Sequence, residues 1–219
     1  WVNVQRKLQA PAHPAEATPT APPSPPAAPP AYPQPPAAPP ARPQPPAAPA
    51  MLTPEKVIVR RGMPTNAETI AAFISQTTGK AVTRMDVMMA FGQKSYLIAQ
   101  DETERVLGLV GWQVENLITR VDEFYLLPHL SPAPVVQELL TAIEQASKDL
   151  QSEVGYIFLP SGTRMETVQT FMKNGYDRTA VEQIKIPAWR EAVQELLSSD
   201  SGLVILTKKL REDRVLKPI

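Results

Sequence analysis

Residues 122–140, DEFYLLPHLSPAPVVQELL, read as the end of a strand, a loop carrying prolines, and the first turns of a helix. The strand is ITRVDEFYLL at 118–127. The helix shows in Val136, Leu139, Leu140, Ile143 and Ala146, which recur at helical spacing and form an apolar stripe of about three turns. Between the two, Ser131 suits the N-cap and Pro132 the first helical position. A proline costs little there, because first-turn amides have no partner inside the helix.

Ahead of this stretch, YLIAQ (96–100) and RVLGLVGWQV (105–114) flank the polar turn Asp101–Glu104, and with 118–127 they predict an antiparallel meander. VIVRR at 57–61 alternates like a first strand. Thr65 and Glu68 have capping-box spacing before Ile70, Phe73 and Ile74, and Gly79 supplies a left-handed stop. Thr83 opens a second helix with Met85, Met88, Met89 and Phe91 at apolar positions, as core filling or as the lining of a groove. Behind the long helix, GYIFLP (155–160) reads as a buried strand. A second capping box, Thr163 to Glu166, starts a helix with Val168, Phe171 and Met172 inward and Gly175 at its stop. A strand near 178–185, an amphipathic helix PAWREAVQELLSS (187–199) and the strand LVILTKKL (203–210) complete the reading.

The 219 residues carry 22 basic and 22 acidic side chains, a formal charge of zero. Binding to nucleic acid draws on a basic excess that neutralises phosphates; none is present, and no nucleic-acid partner is expected. The lack of cysteine excludes disulfides, thiolate nucleophiles and Cys-based metal sites, and with His13 and His129 as the only histidines no metal is expected. No apolar run approaches the roughly 20 residues that span a bilayer, so the chain as given reads as soluble.

Of 26 prolines, 18 fall in residues 11–50 beside 13 alanines, as a decapeptide repeat: TAPPSPPAAP (20–29), PAYPQPPAAP (30–39), PARPQPPAAP (40–49). Such a tract has too little apolar surface to offset the entropy of ordering and too few N–H groups for helix or ladder. It is expected to be a disordered, polyproline-II-rich tether, reaching on the order of 120 Å if stiff. A PxxP-type ligand distinguished by Tyr32 and Arg42 is the alternative. Upstream, WVNVQRKLQ places Arg6 and Lys7 after a short apolar stretch, as the cytoplasmic edge of a membrane tether upstream of Trp1 would, or a processed end. The expected organisation is a short segment 1–10, a linker 11–50 and a folded domain 51–219.

From about 54 to 210 the order of elements resembles the GNAT N-acetyltransferase superfamily. VIVRRGMPTNAETIAAFI (57–74) looks like that family's opening strand and helix, VLGLVGW (106–112) like its third strand, and FMKNGYDRT (171–179) like the end of its last conserved helix. The resemblance implies a mixed α/β (α+β) fold: about six to seven strands in a sheet splayed between central parallel strands, flanked by helices, with acyl-coenzyme A in the cleft. In that family an RxxGxG pattern after the fourth strand wraps the coenzyme pyrophosphate in amides at a helix N-terminus.

Here the six motif positions fall on Ser131, Pro132, Ala133, Pro134, Val135 and Val136. Both glycines are gone, Pro134 cannot donate, Val136 brings a branched Cβ where phosphate needs bare backbone, and serine replaces the positive residue. The family's thiolate-protonating tyrosine aligns with Phe171, and an asparagine common near that helix's start aligns with Arg164. Asp122 or Glu123 occupies the place of a general base, Tyr125 or Tyr176 could substitute as acid, and His129 reads as loop surface. Phe124, Tyr125, Leu126 and Leu127 would lie along the pantetheine arm. Trp189, Val193 and Leu196 form an apolar face, a docking surface for a partner or second copy, or simple packing on the chain's own sheet.

Two functions compete. In the favoured one this is a catalytically degenerate GNAT-like domain, without cofactor, acting as a protein-interaction or scaffold module on its tether with a partner of unknown identity. In the other it is an active acetyltransferase using acetyl-CoA, with Arg164, Lys173 or Arg178 capturing phosphate.

Overall fold

The computed structural model describes residues 51–199 and 202–211; the expectations for 1–50 lie outside them. In chain order come β1 (Ile58–Gly62), α1 (Ala67–Thr78), α2 (Arg84–Ala90), β2 (Ser95–Gln100), β3 (Val106–Glu115) and β4 (Ile118–Leu126). Then follow α3 (Pro132–Asp149), β5 (Val154–Pro160), α4 (Met165–Lys173), β6 (Asp177–Thr179), α5 (Pro187–Ser199) and β7 (Leu203–Lys209). The seven strands form one sheet in the order β1-β2-β3-β4-β5-β7-β6. β4 and β5 are parallel and every other neighbouring pair is antiparallel. The meander and the mixed sheet are as the sequence predicts. Among the described residues no helix is long and apolar enough to cross a membrane.

β5 is buried on both faces, which is why it reads as an unbroken apolar run. Ile157 and Leu159 enter the main core with the buried residues of α1 to α4. Tyr156 and Phe158 alternate to the other side, into a second cluster with Ile118, Ile184, Ala192, Val193 and Ile205. Side chains this deeply buried contribute about 1.5–3 kcal/mol each by leaving water. α3 sits close against β3 because residue 108 is glycine: a Cβ there would stand 2.9 Å from Val135 Cγ1 and 3.2 Å from Leu139 Cδ1. That contact fixes where α3 begins relative to the strand ends.

Several local expectations are corrected. Pro64 starts a 3-10 turn (Pro64–Asn66), so Thr65 is already inside the turn and cannot cap; Asn66 Oδ1 instead accepts from the Met63 N–H at 3.0 Å. The second box, Thr163 with Glu166, does not form either, since α4 takes Arg164 as its N-cap with no side-chain bond. The capping box that does form joins Thr83 and Asp86, whose Oδ2 accepts from the Thr83 N–H at 2.8 Å. Gly79 and Gly175 do take the left-handed conformation, with φ of 70° and 86°. Met85, Met89 and Met172 face solvent rather than core, leaving Val87 as the buried residue of α2. The strand expected at 178–185 stops at Thr179 and yields to a 3-10 turn, Val181–Gln183.

Candidate functional site

β4 and β5 pair only where Ile118–Val121 meets Val154–Ile157. Opposite β3, Gly111 pairs with Glu123 and Trp112 with Val121, so Asp122 is an extra residue, a bulge that bends β4. Beyond it β4 follows β3 to Leu126 while β5 follows β7 to Pro160, and the two strands part. Two adjoining cavities of about 730 and 580 Å³ fill the splay, sharing Thr77, Phe124, Tyr125, Pro160 and Thr163 as walls.

The larger cavity holds the candidate bases. Lys94 Nζ donates to Asp122 Oδ2 at 2.7 Å and to Glu123 Oε1 at 2.9 Å. Successive strand residues normally point to opposite faces, and the bulge is what brings both carboxylates to one ammonium. Burial opposes the charge on Lys94, but hydrogen bonds and Coulomb attraction from the two carboxylates outweigh it and raise its pKa. Tyr96, 1% exposed, is pushed far up by burial and then by Glu123. Burial, followed by Glu123 and Asp122, raises Tyr125 to about 12.

These shifts share a sign. A folded-state pKa above the unfolded value means stability that is fully present below the unfolded pKa and lost as pH rises through the folded one. With ordinary values of 10.0 for tyrosine and 10.5 for lysine, the unfolding temperature is expected to fall above about pH 10. Circular-dichroism melts from pH 8 to 12 measure it; a midpoint that does not fall between pH 10 and 12 would contradict these environments.

Tyr176 is corrected as a candidate acid. It lies 1% exposed behind Phe171, ring centroids 6.1 Å apart, with Lys208 Nζ 5.4 Å above its ring, and it lines neither cavity. Burial, then Glu144, pushes its pKa far up. Phe171 is itself fully buried, edge-on to Phe124 at 4.9 Å. Lys173 and Arg178 line neither cavity. Arg164 lines the smaller one, where its Nη2 donates to the Leu130 carbonyl at 2.8 Å. His129 is exposed in the loop at φ 59°. On α5, Val193 is fully buried against the chain's own sheet and so is not open to a partner; Trp189 Nε1 donates to the Asn116 carbonyl at 3.1 Å, and Leu196 lines the larger cavity.

The smaller cavity runs along Phe124, Tyr125, Leu126 and Leu127 to the start of α3, where Ser131 is the N-cap and Pro132 opens the helix. A helix offers its first four amides to a ligand. Here the Ser131 N–H is bonded to the Leu52 carbonyl at 2.8 Å, positions 132 and 134 are prolines, and the exposed Ala133 supplies the one amide left over. Val135 and Val136 are both wholly buried in the main core. The branched side chain of Val136, which the sequence set against a phosphate, is thus turned into the core.

Three residues of this region escaped the sequence reading: Lys94, Tyr96 and Leu52. Lys94 lies 28 residues from Asp122, and Leu52 reaches the α3 loop through its backbone, so neither carries a local side-chain signal. Tyr96 could have been suspected, since as a strand aromatic it pairs across from Gly111.

No family model and no curated protein matches the sequence. Solved structures do match. A GNAT-superfamily phosphinothricin acetyltransferase from Sinorhizobium meliloti, in complex with acetyl-CoA, aligns with a TM-score of 0.55 at 12% identity, over 74% of this chain and 93% of that one. The ribosomal-protein-S18-alanine N-acetyltransferase of Escherichia coli gives 0.54 at 6% identity, over 75% and 100%. The PaiA N-acetyltransferase of Thermoplasma acidophilum, in complex with coenzyme A, gives 0.52 at 12%, over 70% and 99%. The chain has the fold of the GNAT acetyltransferases.

Proposed function

We propose that this domain keeps the GNAT architecture without the coenzyme, and serves as a protein-interaction or scaffold module on a proline-rich tether formed by residues 11–50. One observation carries the reading: of the four positions that open α3, two are prolines without an N–H, the Ser131 N–H is bonded to Leu52, and only Ala133 has an unengaged N–H. Hydrogen bonds to charged groups are worth about 1.5–3 kcal/mol each, so three missing donors remove about 5 kcal/mol or more, a factor of several thousand in affinity. A micromolar coenzyme complex would become weaker than millimolar. Lys94 donates to one oxygen of each carboxylate, Asp122 Oδ2 and Glu123 Oε1, while the other two, Oδ1 and Oε2, are buried without a hydrogen-bond partner among the described residues.

The test is to return donors. Pro132→Ala with Pro134→Gly restores two amides and leaves the core valines in place, and saturable coenzyme A binding is expected to emerge in the variant. A correctly folded variant that binds no better than the parent would show that the prolines are not the cause.

The open cavity of about 580 Å³ along β4 favours a second reading, an active acetyltransferase that holds acetyl-CoA by its pantetheine arm with Arg164 near the phosphates. It requires free thiol to accumulate when the chain is given acetyl-CoA and a panel of amines. The first reading expects none above the enzyme-free rate, and expects a bound protein to be retained by the whole chain.

A further inference from the structure

The smaller cavity, about 580 Å³, lies within the range of about 300–1,000 Å³ typical of pockets for small molecules. Phe124 and Leu126 of β4 line it half-buried, and Leu159 and Pro160 of β5 line the same space, so apolar surface there meets water that a ligand would displace. From Phe124 to Leu127 the strand offers about 10 Å of this wall. Among the described residues no Asp or Glu lines it. Its permanent charge is that of Arg164, and the other polar side chains are the hydroxyls of Thr77, Tyr125, Thr163 and Thr167 and the imidazole of His129. Arg164 Nη2 donates to the Leu130 carbonyl at 2.8 Å, which holds the guanidinium at the loop between β4 and α3, and no carboxylate among the described residues pairs with it. A guanidinium carries five N–H groups in a planar fork, so donors remain for a planar anion. The adjoining larger cavity has the opposite balance, with the carboxylates of Asp86, Asp122 and Glu123 against the ammonium groups of Lys80 and Lys94. An anion entering the splay is therefore drawn to the Arg164 end and away from the other.

We propose that the smaller cavity binds a small amphiphile with a single carboxylate, its head at Arg164 and its apolar chain, of about eight carbons, along β4 toward Phe124. The inference rests on the reading that the domain works without the coenzyme, since a pantetheine arm would take the same wall. The two ligands ask different things of the site. A diphosphate spreads its charge over many oxygens and needs the row of amides that α3 does not offer, whereas the two oxygens of a carboxylate are met by the fork of one guanidinium. The missing amides therefore weigh against the first ligand and not against the second.

Titration of the full chain with octanoate, followed through amide NMR shifts, tests it. Saturable shifts are expected at Leu126, Leu127 and Thr167, with a dissociation constant below about 1 mM, while Asp177 and Arg178 on β6 stay unmoved. Octylamine, with the same chain and the opposite charge, is expected to bind at these amides at least about tenfold more weakly. Arg164→Gln is expected to weaken octanoate at least about tenfold and to leave octanol, which has no charge to pair, within about twofold. No saturable shift with octanoate, equal affinity for octylamine, or an equal loss of octanoate and octanol in the variant would overturn the proposal. Coenzyme A is titrated separately into the same parent chain. Micromolar coenzyme binding would overturn the degenerate reading and the inference that rests on it. A chain that ignores both coenzyme A and octanoate keeps that reading and loses this inference alone.

Discussion

Lys94→Met is expected to lower the folding free energy by about 2–4 kcal/mol, read as a drop in the urea midpoint with the slope unchanged. The substitution leaves Asp122 and Glu123 facing each other, about four-fifths buried, with their shared ammonium gone. Removing one partner of a buried ion cluster is expensive because the remaining charge keeps its desolvation penalty and loses its compensation. The cause can be isolated: in a background of Asp122→Asn and Glu123→Gln the same lysine change is expected to cost less than about 1 kcal/mol. An equal loss in both backgrounds would mean that Lys94 matters for its packing. The same contact bears on chemistry, since a carboxylate that accepts from Lys94 has one lone pair fewer for an incoming amine or water.

Val193→Asp is expected to have the largest effect of any single change considered, about 4 kcal/mol or more, out of a total that for domains of this size is about 5–15 kcal/mol. Val193 is fully buried in the second cluster among Ile118, Tyr156, Phe158 and Ile205, so the new carboxylate would have neither water nor a cation. Trp189→Ala, at a half-exposed residue whose Nε1 bonds Asn116, should cost distinctly less. If α5 were a docking helix resting loosely on the sheet, Val193→Asp would leave the melting temperature nearly unchanged and abolish partner binding alone.

Much of this architecture can be read from the chain because strands and helices announce themselves by period. The meander from 96 to 127 has apolar runs separated by short polar turns, and the α3 stripe from Val136 to Ala146 fixes the face that meets β3. Less legible were features set by one residue acting on its neighbour. Pro64 moved the start of the first helical stretch and so cancelled a well-spaced capping box. The bulge at Asp122 placed two consecutive carboxylates on one lysine, against the alternation that strand periodicity assumes. Tyr176 offers a candidate acid in the sequence, yet the turn at Gly175 carries it into the main core. At the site itself, the loss of amides at positions 132 and 134 is visible in the sequence, since proline carries no N–H anywhere. The engagement of the Ser131 amide by Leu52 is not, because a backbone-to-backbone bond across 79 positions depends on the fold alone.

One unengaged amide, that of Ala133, is left at the start of α3 to meet a diphosphate. Calorimetric titration of the whole chain with coenzyme A tests most directly whether that is enough. No saturable heat is predicted up to about 1 mM ligand, and a stoichiometric isotherm with a micromolar dissociation constant would contradict the account.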